Sequence, residues 1–136
     1  MSNLAVATSS PQWTVNAFRA FWKKPDKSML PAVLGLITED IVGHWPQPIG
    51  VVRGAHSYLR VIEQILELCP DFALSVPDHA SSGDLHFVRW VATGTGPDGP
   101  FEFNGVDRVR TRDGLVCENY IFCDHPLFAQ ALKQAA

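Results

Sequence analysis

Cysteine is scarce in this 136-residue chain: Cys69, Cys117 and Cys123 are an odd number with no C-x-x-C spacing. That argues against a disulfide framework and against a thiolate zinc site. If Cys117 and Cys123 share a strand, their Cα atoms stand about 20 Å apart at ~3.3 Å per residue, far beyond disulfide reach. All three are expected to be buried thiols. Charge is sparse as well, with 11 Lys and Arg against 14 Asp and Glu and a net charge of -3. The basic residues are dispersed, so the footprint that neutralises a nucleic-acid backbone is missing and nucleic acid is not an expected partner. No apolar run approaches the ~20 residues of a bilayer span, and no membrane partner is expected. Residues 1–10 lack a basic segment leading into an apolar stretch and lack a cleavage pattern. They are expected to be a flexible N-terminal tail on a cytoplasmic protein. His79, His86 and His125 have no metal-ligand spacing, and no metal is expected. Gly94-Thr95-Gly96 leads into another strand and not a helix, which excludes a dinucleotide fingerprint.

What remains is a hydrophobic chain, 46% apolar with eight Phe and four Trp. At this length it forms one domain, residues 11–136, burying roughly two-thirds of its unfolded surface. Ser10 and Pro11 are suited to open a first helix whose apolar face carries Trp13, Ala17, Phe18, Phe21 and Trp22, and Pro25 stops it. A shorter helix is expected from Asp26 to Ser28 onward, with Pro31 in its first turn and Leu30, Val33, Leu34 and Ile37 turned inward. Ile41 to Trp45 reads as a short strand, Pro46, Pro48 and Gly50 break regular structure, and a third helix runs from about Gly54 to Cys69. Beyond Pro70 the period changes to two, which predicts strands at Phe72 to His79, Leu85 to Thr95, Phe101 to Thr111 and Leu115 to Asp124, joined by tight turns. Leu127, Phe128, Ala131 and Leu132 predict a last helical turn or two. Three helices followed by a meander make an α+β fold.

The last hairpin decides which side chains face inward, because a one-residue slip exchanges the faces. A two-residue Asp113-Gly114 turn pairs Asp107 with Tyr120. A three-residue Arg112-Asp113-Gly114 loop pairs Asp107 with Asn119 and sets Arg108 opposite Glu118, a favourable cross-strand pair, and is the preferred reading. The inner face then carries Phe101, Phe103, Gly105, Asp107 and Val109 beside Cys117, Asn119, Ile121 and Cys123.

Certain phrases, taken in order, resemble the nuclear transport factor 2-like superfamily and its SnoaL-like polyketide cyclase branch. They are Leu36-Ile37-Thr38-Glu39-Asp40, His44-Trp45-Pro46, Val52-Arg53-Gly54, Val88-Arg89-Trp90, and Asp113-Gly114-Leu115-Val116-Cys117-Glu118 with a closing Asp124. The likeness spans about residues 13 to 130. It implies a cone-shaped fold, with a strongly curved antiparallel sheet and three helices on its concave side. It also implies a homodimer formed through the sheet and a pocket for a small apolar ligand. Limonene-epoxide hydrolases of this superfamily use an Asp-Arg-Asp set; this chain is similar at Arg89 but has Val91 and Ile121 at the carboxylate positions, so epoxide hydrolysis is the less expected activity. The polyketide cyclases place their acid-base Asp at Ile121 and a His at Asp107. In ketosteroid isomerase, Asp107 has a protonated Asp as counterpart, Phe18 occupies the tyrosine position, and His44 or Trp45 the base position.

Among these residues Asp107 is the leading catalytic candidate, since an apolar setting favours its neutral form; its structural alternative is a buried pair with Arg89. His44, at the implied pocket mouth, is the second acid-base candidate. Arg89 needs a partner, either a protein carboxylate or an anionic ligand. Asn119 is an accessory that orients a ligand oxygen, and Trp45, Phe18, Trp22, Tyr58 and Ile121 are expected to line the cavity. Cofactor-independent cyclisation or isomerisation of a carbonyl-bearing apolar substrate fits this set. The alternative is a non-catalytic ligand-binding or dimerising domain.

Overall fold

Thr14, not Ser10, caps the first helix. The computed structural model describes residues 11–123 and 125, so Ser10, the 1–10 tail, Asp124 and the expected C-terminal helical turn lie outside the described residues. Thr14 is extended and its hydroxyl accepts from the Ala17 amide at 3.0 Å, opening α1 (Val15–Trp22). Pro11 is well placed for a first turn, but a hydroxyl that satisfies an orphan amide three residues on decides the start.

Asp26 caps a single 3-10 turn, Lys27–Met29, that runs into α2 (Leu30–Leu34) with Pro31 in its first turn. This helix is shorter than expected. Its last residue Leu34 is 39% exposed and not inward, and Ile37 belongs to the next strand. Gly35 ends the helix, and the Leu36 carbonyl already accepts from the Val116 amide, so the β-branched Ile37 and Thr38 continue as sheet.

The strands are β1 (Ile37–His44), β2 (Val51–Arg53), β3 (Ala73–Ser82), β4 (Leu85–Gly96), β5 (Gly99–Arg112) and β6 (Leu115–Phe122). Helix α3 (Ala55–Leu68) lies between β2 and β3. Three-residue β2 lies where broken structure was expected, because so short a strand shows no alternation. The sheet order is β2-β1-β6-β5-β4-β3. Neighbours are antiparallel except β1 beside β6, which run parallel, so the expected antiparallel sheet is mixed. Helix α3 packs on β1 and β2, and α1 on β3. The fold is the expected α+β fold. Its core is centred on Ile41, Ile65, Val88, Trp90 and Val109.

In the last hairpin Asp113 (φ 54°) and Gly114 (φ 82°) are both left-handed, and Arg112 pairs with Leu115. This is the two-residue turn, not the preferred three-residue loop. Thr111 pairs with Val116 but Arg110 with Glu118, so Cys117 is an extra residue, a bulge. Asp107 therefore opposes Ile121 and not Asn119, and Arg108 opposes Tyr120 and not Glu118. The actual register differs from the expected one by two residues, an even number, so the faces survive. Asp107, Val109, Asn119 and Ile121 all turn inward. Cys117 is the exception: Val116 takes its inward place, and the half-buried Cys117 thiol donates to the Arg110 carbonyl at 3.5 Å.

Candidate functional site

The inner faces of the helices and sheet enclose a cavity with about 80 Å³ of space for the centre of a water-sized sphere. One water requires only ~10–15 Å³ by that measure, so there is room for an organic molecule. Phe18, Trp22, Trp45, Tyr58 and Ile121 line it, together with Ile65, Phe72 and Leu74. Asp107 and Tyr58 are the only ionisable side chains among the described residues that line it.

The polar end is a connected set. Asp107 is 7% exposed and Asn119 4%. Asn119 Nδ2 donates to Asp107 Oδ2 at 3.0 Å and to Tyr58 Oη at 2.8 Å, while Trp90 Nε1 donates to Asp107 Oδ1 at 2.8 Å. Asn119 Oδ1 has no protein partner. Burial pushes the Asp107 carboxyl from an ordinary 3.8 up to about 6, against the opposing pull of its donors Asn119 and Trp90. Burial, reinforced by the nearby Asp107 charge, raises the Tyr58 hydroxyl well above an ordinary phenol, so it stays protonated.

Two expected site residues lie elsewhere. His44 is on the outer face of β1, where Nε2 is 3.3 Å from Glu118 Oε2 and the ring stacks on Tyr120 at 3.7 Å. Strand phase dictates this, because Ile41, Gly43 and Trp45 take the inward positions. A Cβ on Gly43 would stand 2.7 Å from the Tyr58 ring, so only glycine fits there. The expected Asp107–His44 acid-base pair does not exist. Arg89 is also outward: its Nε donates to Asp78 Oδ1 at 3.1 Å and its Nη1 to Asn104 Oδ1 at 3.4 Å. Its partners are Asp78 and Asn104 and not Asp107, and it is not among the residues that line the cavity.

Trp90 was missed as a site residue. The signal was present, since Val88, Trp90 and Ala92 alternate as an apolar row and place Arg89 on the opposite face. The likeness to an Arg-containing site had favoured the other phase.

Among the described residues no group of three or more His, Cys, Asp or Glu is placed to hold a metal ion. None of the described helices is long and apolar enough to cross a membrane.

The α+β fold has a family to match, and the chain belongs to it: the SnoaL-like domain family matches residues 15–119. No curated protein matches the chain. Among solved structures, IdmH from Streptomyces antibioticus, a candidate polyketide cyclase, is 27% identical with a TM-score of 0.69, over 88% of this chain and 95% of IdmH. A cystatin-like protein from Xanthomonas campestris is 23% identical with a TM-score of 0.70, over 86% of this chain and 92% of that one. A protein from Catenulispora acidiphila with a ketosteroid isomerase-like fold, in complex with trimethylamine, is 17% identical with a TM-score of 0.71, over 86% of this chain and 90% of that one. The last two share the fold.

Proposed function

We propose that the cavity binds a small apolar carbonyl compound and that Asp107 alone, without His44, exchanges a proton with it in a cofactor-independent isomerisation or cyclisation. The observation that carries this is a single carboxyl, buried in an apolar wall and held at about 6, where acid and base forms coexist near neutrality. The carboxylate takes a proton from the carbon beside the carbonyl. The C–H electron pair becomes the enolate, whose oxygen gains charge, and Tyr58, already accepting from Asn119, can direct its own proton toward that oxygen. Return of the proton from Asp107 to another carbon completes an isomerisation; attack of the enolate carbon on a second carbonyl, whose oxygen takes the proton back from Asp107, completes a cyclisation. The likeness to IdmH supports the cyclase form.

A second reading has its own support. Both Asp107 oxygens already accept protein hydrogen bonds, as a purely structural carboxylate would, leaving a passive binding site. Exchange of the α-protons of 2-tetralone in deuterated water, followed by NMR, separates the two. The enzyme should accelerate exchange, and Asp107→Asn should lose at least ~100-fold while still binding the ketone. Equal exchange by both proteins would leave only the binding reading.

We also propose that the outer face seats a second copy of the chain. Phe87, Arg108, Tyr120, His44 and Val51 form one continuous cross-strand row over five strands, and beside it Phe122 is 54% exposed. Phe87, Val51 and Phe122 are exposed apolar side chains on this face, and association would cover them. The protein should sediment as a dimer at micromolar concentration and Phe122→Asp as a monomer; a monomeric parent protein refutes it.

A further inference from the structure

Trp90 and Gly105 are directly paired across β4 and β5. The indole lies flat over the space where a side chain on Gly105 would be: a Cβ there would stand 2.2 Å from Trp90 Cη2. Passing over the glycine, the ring reaches Asp107, two residues along β5, and its Nε1 meets Oδ1 at 2.8 Å in a fully buried contact. An indole N–H can donate but never accept. Oδ1 therefore cannot carry a proton toward Trp90 in either charge state of the carboxyl. Oδ2 likewise accepts from Asn119 Nδ2 at 3.0 Å, so each carboxyl oxygen meets one donor and keeps one lone pair. The groups facing Asp107 are Trp90 from β4, Asn119 from β6 and Tyr58 from α3. Among the described cavity-lining residues Tyr58 is the only other that titrates, and it does so far from neutrality.

We propose that Trp90 is a positioning residue that holds the Asp107 carboxyl through Oδ1 and favours its ionised form, with Gly105 as the residue that makes room for the indole. The proposal rests on the acid-base reading of Asp107 for its purpose, but not for its test. Carbon-13 NMR of the Asp107 carboxyl gives its titration midpoint without any substrate. Removing one donor from the ionised form should raise that midpoint, so Trp90→Phe is expected to titrate at least about one pH unit higher than the parent protein. Gly105→Ala, which displaces the ring, should shift it the same way. Trp22→Phe, which removes another cavity indole that stacks on Phe21 and Phe72, should leave the midpoint in place. In the unaltered protein the Trp90 indole N–H signal should itself move with the carboxyl titration. An unshifted midpoint in Trp90→Phe with a native backbone spectrum overturns the proposal, as does an indole signal that stays flat across the titration. If the midpoint shifts while 2-tetralone exchange is absent, the positioning role stands and the catalytic reading falls.

Discussion

Asp107→Asn is expected to remove a loss of stability that the parent protein suffers as pH rises from about 4 to about 7. The folded carboxyl titrates near 6 and the unfolded one near 3.8. Below 3.8 both states are neutral and burial carries no penalty. Between the two values the native state holds a proton that the unfolded chain has released, so stability falls with rising pH, and the fall is complete once pH passes the folded value. The gap corresponds to about 3 kcal/mol. An asparagine is neutral throughout. Its amide can still accept from Trp90, and Asn119, whose Oδ1 has no protein partner, can turn to accept from the new amide. The variant should therefore be more stable than the parent at pH 8 by up to about 3 kcal/mol, and nearly equal to it at pH 4. Urea unfolding of both proteins across this range is the measurement. The difference between them is diagnostic, because the exposed Asp26, Asp40 and Asp71, lowered by their hydrogen-bond partners, act with the opposite sign and are common to both. A constant difference across pH would mean that Asp107 is not held near 6. Coupled with the expected loss of proton exchange, a gain in stability would mark a group kept at a cost to the fold.

The second large effect concerns the helices that close the cavity. Ile65→Ala should cost about 2–5 kcal/mol, because this residue is 1% exposed on the inward face of α3 and truncation leaves a hole at the cavity wall. Leu34→Ala should cost less than about 1 kcal/mol, since its side chain already meets solvent at the end of α2. Both residues read as inward from periodicity. Guanidinium unfolding with unchanged slopes distinguishes them. Equal losses would mean that α2 packs through Leu34 after all.

Where local pattern and hydrophobic period agreed, the elements could be read directly. Helix α3 and the four strands of the meander fall within a few residues of their expected spans, and the aromatics Phe18, Trp22, Trp45 and Tyr58 turn toward the interior cavity. Legibility failed at short elements and at competing signals. Five-residue α2 and three-residue β2 are too brief to show a period, and Thr14 won a cap that Ser10 and Pro11 also advertise. At His44 and Arg89 chemical appeal outweighed strand phase, and phase prevailed: Gly43 and Trp90, their neighbours, are the residues that pack inward.

Composition and hydrophobic period by themselves determined an α+β domain with an apolar interior and put Asp107 on the apolar face of its strand. These depend on side-chain alternation, which is a property of the local backbone. The partners of that carboxyl were settled by contacts between strands distant in sequence. A bulge at Cys117 displaces β6 by one residue and brings Asp107 opposite Ile121; a glycine at 105 lets the Trp90 indole cross to Oδ1; and α3 delivers Tyr58 to Asn119. A bulge and a ring's path over a glycine answer to packing density in three dimensions, and no single segment of the chain encodes them.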